Sequence, residues 1–416
     1  MQTVKLAFQA FHDEVRNVLG TSLEVAKQLT PLSIAETLQT VLPELGDGVV
    51  ALYTLVSKER LWIVLVTRDI YKAYEIPISA ADINAKVVAF RQVVQEPRRD
   101  PRPLAKEWYD LLIEPIAADL QAVSAQTLMW SLDGGLRYLP LAALSDGQQY
   151  LIERYRLAVF TVESWGFLRD RPSPRWRVAG LGVSKPQAGF EALSNVVGEL
   201  SGIVRTKATN GALPGVMMLD ERFTRQALES ALRERYPVIH IASHFQFQPG
   251  DETKSFLLLG DGQTLSIATL KGYQFAGIEL LTLSACNTAF GSTGDGREIE
   301  SFAMLAQRGG AHAVVASLWP VADASTKELM QQFYRFRESK KGMSKAEALR
   351  QAQLALLHGE QKEEAADKAR GVVQVSHDSS TMGEQNNAAP QFVKDPTAPY
   401  SHPYYWAPFI LIGNWK

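Results

Sequence analysis

The sequence of 416 residues predicts an α/β fold, with a mostly parallel sheet flanked by helices, built as two α/β units behind a short helical segment. Three observations carry this expectation. Short apolar runs such as Leu61-Trp-Ile-Val-Leu-Val and Ala313-Val-Val-Ala-Ser are rich in branched residues and bounded by turn formers, the pattern of buried strands. Stretches of helical length lie between them, which is the alternation that parallel strands joined by crossover helices require. Two of the runs end in histidine or cysteine at the edge of polar loops, where open α/β sheets place their chemistry.

Residues 1–46 read as the helical segment, with Leu6, Phe8, Phe11, Val15 and Leu19 near one face and Pro31 opening a second helix toward Leu45. The first α/β unit is expected over 47–172. It starts with a strand meander at 49–56, 61–67 and 71–76, continues with helices at about 80–96 and 103–121, and returns to a strand at 128–132. Asp133-Gly-Gly ends that strand, and the basic, proline-rich run Arg169-Asp-Arg-Pro-Ser-Pro-Arg175 closes the unit. Within it there is no cysteine and no histidine.

The second unit is expected over 173–416. Strands are predicted at 176–183, 238–242, 278–284, 313–319 and 404–413. Helices are predicted at 190–205, at 223–235 with Asp220 as N-cap, at 298–308, at 323–338, and at 343–358 with Ser344 and Glu347 as a capping box. Residues 359 to about 400 are rich in Ala, Gln, Asn, Ser and Pro and read as a long loop. The pair Gly180 and Gly182 lacks the third glycine of a dinucleotide fingerprint, and Ser184-Lys-Pro interrupts the helix start that such a site needs.

A formal net charge of −2 gives no global electrostatic reason to expect nucleic-acid binding. One cysteine cannot form an internal disulfide, which fits a reducing, cytoplasmic compartment. No apolar run approaches the ~20 residues of a membrane span, and charges interrupt the first apolar stretch, unlike a signal peptide. There is no Walker loop, no Gly-x-Ser-x-Gly elbow and no Cys/His cluster with metal spacing, so neither a cofactor nor a metal is expected.

Lone cysteines are most often buried packing residues. Cys286, however, falls where Leu280 to Leu283 give way to Asn287, Thr288, Gly291, Gly294 and Gly296, on the boundary of strand and loop. The strand at 238–242 likewise leads into His244. A thiol with an ordinary pKa of about 8.5 needs a neighbouring histidine or a helix dipole to act as a nucleophile at neutral pH. Cys286 is therefore read as nucleophile and His244 as base and proton donor. His240 lies four residues before His244 and projects to the same face of a strand; it is expected to pack within the sheet.

The blocks Ile-Ala-Ser-His244, Leu-Ser-Ala-Cys286-Asn-Thr, Gly-Asp-Gly-Arg-Glu298, Ala-Ser-Leu-Trp319-Pro-Val-Ala-Asp323 and His402-Pro-Tyr-Tyr-Trp406-Ala-Pro-Phe resemble the CHAT family. That family comprises caspase-like cysteine peptidases related to separase. Asp133-Gly-Gly-Leu-Arg-Tyr-Leu-Pro140 and Tyr150-Leu-Ile-Glu153 are similar to the family's amino-terminal blocks, so the resemblance covers about 45–416. It implies a pseudo-peptidase half followed by an active caspase-like half. It also implies an oxyanion hole made by the backbone N–H groups of Cys286 and Phe245, and a first specificity pocket selecting Lys or Arg through Asp323, with Asp295, Glu298 and Trp319 as further substrate contacts. Asp323 is equally placed to cap the helix that follows it.

The chain departs from the family pattern at Phe245 and Ala289, where glycine is usual. If that glycine takes φ > 0, phenylalanine strains the loop, and the chain is expected to stay latent until a partner reshapes it. The function implied is a cysteine endopeptidase cleaving a specific protein partner after a basic residue, as a regulated effector in bacterial defence or signalling. An activating sensor or repeat-domain partner would fit, such as a CRISPR-type complex, as would a gasdermin-like substrate. The alternative is a catalytically impaired relative serving as an interaction scaffold.

Overall fold

In the computed structural model the apolar runs pair into one twelve-stranded sheet among the described residues, which are 39–284, 305–359 and 390–416 apart from positions 188, 247, 249, 250, 252 and 341. The strands are β1 (Val49–Val56), β2 (Leu61–Val66), β3 (Tyr71–Ile76), β4 (Thr127–Ser131), β5 (Arg156–Val159), β6 (Val178–Gly182), β7 (Val204–Arg205), β8 (Leu213–Leu219), β9 (Val238–Ala242), β13 (Leu280–Leu283), β14 (Ala313–Ser317) and β15 (Phe409–Gly413). Their order is β3-β2-β1-β4-β5-β15-β14-β13-β9-β6-β8-β7. A small antiparallel sheet is made by β10 (Phe245–Gln246), β11 (Phe256–Leu258) and β12 (Thr264–Ser266).

The large sheet is mostly parallel, as the alternation predicts. Antiparallel pairs are confined to the β1-β2-β3 meander and to β14-β15. β15 pairs with β14 on one side and with β5, in parallel, on the other, so the last strand joins the two halves of the sheet. Five strands, β2, β6, β9, β13 and β14, are buried along their whole length, because helices cover both faces and leave no polar side to alternate.

Among the described residues, the helices of eight or more residues are α1 (Ala80–Val94), α2 (Arg102–Leu112), α3 (Val196–Ile203), α4 (Arg225–Arg233), α5 (Asp323–Ser339) and α6 (Lys345–His358). Ser344 caps α6 as expected, its hydroxyl accepting from the Glu347 N–H at 3.1 Å. The helix expected over 103–121 is broken, with α2 giving way to a 3-10 turn at Glu114–Ile116 and a short helix at Ala117–Ala122. Pro115 accounts for the break, since it lacks an N–H and clashes with the preceding turn. The helix expected from residue 190 starts only at Val196. Asp220 does not cap α4: Thr224 does, at 3.2 Å from the Ala227 nitrogen, while the Asp220 carboxylate accepts from the Ser184 and Lys185 nitrogens.

β8 is an addition that the sequence reading missed. Gly180 and Gly182 have a packing use rather than a ligand: a Cβ on either would lie 2.7 Å from Val204 or Val196 side-chain carbons, so glycine lets the α3 region seat directly on β6. Of the loop expected at 359–400, residues 390–392 pack along 98–100, with Asp100 N donating to Pro390 O and Phe392 N to Arg98 O. The helices expected before residue 39, and most of the helix expected at 298–308, lie outside the described residues.

Candidate active site

β9 and β13 run parallel and adjacent, with Thr282 opposite His240 and Leu283 opposite Ile241. Both therefore end on the same edge of the sheet. Ser284 extends the pairing by donating its backbone N–H to Ile241 O at 3.0 Å. Cys286, two residues further along, lies outside the described residues, as do Asp295 and Glu298.

His244 follows β9 and is held from several sides. The Ser243 hydroxyl donates to Leu258 O at 2.6 Å, and the Leu258 N–H donates to His244 O at 2.9 Å, which ties the backbone to β11. The ring stacks at a tilt on Phe190, centroids 4.8 Å apart, and its Nε2 lies 2.9 Å from the Glu191 carbonyl. A carbonyl only accepts, so Nε2 carries the proton and Nδ1 keeps a lone pair for a neighbouring acid. The Phe190 turn is closed by paired backbone bonds with Gln187, whose side chain donates to Gly260 O at 2.6 Å.

A cavity of about 240 Å³ opens beside this histidine, lined by Leu193, Val196, Glu199, His244, Phe245, Ser284, Pro320, Val321, Asp323 and Thr326. Three of those side chains can carry charge, namely Glu199, His244 and Asp323. Asp323 starts α5 but does not cap it; its carboxylate accepts from the Asn195 N–H at 2.6 Å, at the start of α3. One carboxylate thus pins two helices together and contributes negative charge to the cavity wall.

Phe245 is buried and extended in β10, and among the described residues the positive-φ residues other than glycine are Ser124, Asp220 and Arg235. The strain expected from phenylalanine at this position does not arise. Trp319 does not line the cavity. It is 1% exposed, its indole N–H donates to Tyr404 O at 3.2 Å, and the Arg91 guanidinium packs 5.7 Å from its ring, which is a core role.

The other histidines in or next to the family-like blocks, His240 and His402, are structural in their contacts. His240 is fully buried, between Glu199 and Tyr334. His402 donates from Nε2 to Arg99 O at 2.8 Å and accepts from the Tyr404 N–H; burial pushes its pKa down to about 4, so it stays neutral. The sequence reading overlooked Glu199, although a signal existed: Val196, Glu199, Leu200 and Ile203 share the buried stripe of α3, and a carboxylate on such a stripe needs a partner. The roles of Phe190 and the Glu191 carbonyl depend on tertiary contact and have no local signature.

Among the described residues no group of three or more His, Cys, Asp or Glu side chains is placed to hold a metal, and no helix is long and apolar enough to cross a membrane. The family profile described as the CHAT domain matches residues 102–414. No curated protein matches the sequence. Among solved structures, the separase–securin complex of Saccharomyces cerevisiae aligns with a TM-score of 0.53 at 9% identity, covering 92% of this chain and 31% of the matched chain. A second structure of that complex aligns at 0.50 and 10% identity, covering 78% and 30%. The Arg-specific cysteine proteinase gingipain R aligns at 0.41 and 10% identity, covering 76% and 66%. The chain therefore spans less than a third of the separase chain it matches, and the likeness is one of fold.

Proposed function

The chain belongs to the CHAT family of caspase-like cysteine peptidases, and on that premise we propose that it is an endopeptidase using Cys286 as nucleophile and His244 as general base. The observation that carries this reading is the parallel register of β9 and β13. Leu283 faces Ile241; His244 follows three residues after Ile241 and lines a cavity, and Cys286 stands at the same distance in sequence from Leu283.

The Glu191 carbonyl holds the His244 proton on Nε2, so Nδ1 takes the thiol proton and later returns one to the leaving amine. As the thiolate attacks, the carbonyl oxygen becomes an oxyanion, for which backbone N–H groups of Cys286 and Phe245 are the proposed donors. Asp323, with Asp295 and Glu298 as weaker candidates, is proposed to favour a lysine or arginine before the scissile bond. The two units, 47–172 and 173–416, would then act as a pseudo-peptidase half and a catalytic half.

The physiological reading is a cytoplasmic, regulated effector in bacterial defence or signalling, cleaving one protein partner under the control of a sensor or repeat-domain partner. Its support is the lone cysteine, which suits a reducing compartment, and the family. The test is mass-spectrometric mapping of products from a peptide library. Cleavage after Lys or Arg that disappears in Cys286→Ala supports the reading. Products unchanged by that substitution reject it.

A further inference from the structure

Four buried side chains outside the proposed dyad join the elements that position it. His240 in β9 and Thr282 in β13 stand directly opposite in the sheet register. The Tyr334 hydroxyl, on α5, reaches both, 3.1 Å from His240 Nδ1 and 2.9 Å from Thr282 Oγ1. On its other side, His240 Nε2 lies 2.7 Å from Glu199 Oε1 on α3. None of the four is more than 1% exposed.

The proton order follows from donor chemistry. The Glu199 carboxylate accepts, so His240 Nε2 donates; Nδ1 then accepts from the Tyr334 hydroxyl, whose oxygen accepts from Thr282. Burial raises the Tyr334 phenol above its ordinary range, which keeps that hydroxyl protonated. The three donors, Thr282, Tyr334 and His240, point one way and end on the Glu199 side chain. Such a chain is no stronger a source of stability than apolar residues of equal volume, but it accepts only one arrangement of its members. In a sheet that arrangement is register, since a slip of one residue would turn every side chain of a strand to the other face.

We propose that Thr282, Tyr334, His240 and Glu199 form a positioning network that locks β9, β13, α3 and α5 together and so fixes His244 relative to the end of β13. The inference rests on the peptidase reading. Its effect reaches His244 by two routes. His240 lies four residues upstream on the same strand, and α3 is preceded by the segment whose Phe190 ring and Glu191 carbonyl hold the imidazole. Gln331 adds to the lock, its amide donating to Gly198 O at 2.7 Å from α5 to α3.

The experiment compares the full chain with Tyr334→Phe, Thr282→Val and Thr282→Ser. Valine matches threonine in shape without the hydroxyl, and serine restores the hydroxyl. The readouts are kcat and KM on a fluorogenic arginyl peptide amide, thermal unfolding, and the pH-dependent rate at which iodoacetamide alkylates the sole cysteine. Misplacement of reacting groups by about an ångström costs up to ~100-fold, so Tyr334→Phe and Thr282→Val should lose roughly 10- to 100-fold in kcat with KM within about twofold. Thr282→Ser should recover most of that loss, and the alkylation profile of both damaged variants should move toward that of an unassisted thiol. Variants that stay folded and keep the wild-type kcat and alkylation profile overturn the proposal, as does a loss in Thr282→Val that serine fails to rescue. A wild-type cysteine that alkylates like a free thiol, with a pKa near ~8.5, rejects the peptidase reading itself and this proposal with it.

Discussion

Replacing Asp323 with asparagine separates two contributions of one carboxylate. Asp323 accepts the Asn195 N–H at 2.6 Å and also lines the cavity beside His244. Asparagine keeps an acceptor oxygen for the first contact and removes the charge proposed for the second. A hydrogen bond to a charged group contributes about 1.5–3 kcal/mol, so loss of the anion should reduce the preference for arginine over norleucine before the scissile bond by roughly 10- to 100-fold. Stability should change little in Asp323→Asn, whereas Asp323→Ala, which leaves the Asn195 N–H without this acceptor, should cost about 1 kcal/mol in addition. The assay is the ratio of kcat/KM for two peptides differing only at that residue, alongside urea unfolding of all three proteins. A preference ratio within about twofold of wild type in a folded Asp323→Asn would refute the pocket role, because the estimate requires at least ~1.5 kcal/mol of discrimination.

Two further predictions concern stability. The His402 pKa is pushed to about 4 by burial, against 6.5 when unfolded, so the unfolded chain holds more protons between those values and stability should fall as pH drops from 6.5 toward 4. The span corresponds to about 3 kcal/mol, and pH-dependent unfolding of His402→Gln should lose that slope; an unchanged slope would assign it to other groups. A Cβ on Gly182 would meet Val196 and Leu200 side-chain carbons at 2.7 and 2.8 Å, so Gly182→Ala should destabilise by about 1–3 kcal/mol in denaturant unfolding. No loss of stability would mean that α3 can move away from β6 without cost.

The strands were legible where the chemistry of burial is local. Runs such as 61–66 and 313–316, apolar throughout, can only be core strands between helical layers, and the structure places them there. β8 was hidden because Pro214 and Gly215 dilute its pattern; its glycine is needed where a Cβ would lie 1.9 Å from Val178 O. The position of His244 at a strand end was readable from the apolar run before it. What holds its ring was not, since the Glu191 carbonyl is an acceptor common to every residue and becomes specific only through the turn at Gln187 and Phe190. Trp319 misled in the opposite direction, its place in a motif suggesting substrate contact while its contacts with Tyr404 and Arg91 belong to the core.

The central claim is that His244 activates Cys286. A peptidyl acyloxymethyl ketone carrying arginine at the reactive end reports it directly, because the chain has one cysteine and intact-mass spectrometry counts one adduct. The expected result is a single adduct on the wild-type chain at neutral pH, none on Cys286→Ala, and labelling slowed by roughly 100-fold or more in His244→Ala, the scale general-base catalysis supplies. Labelling of His244→Ala at the wild-type rate would contradict the account.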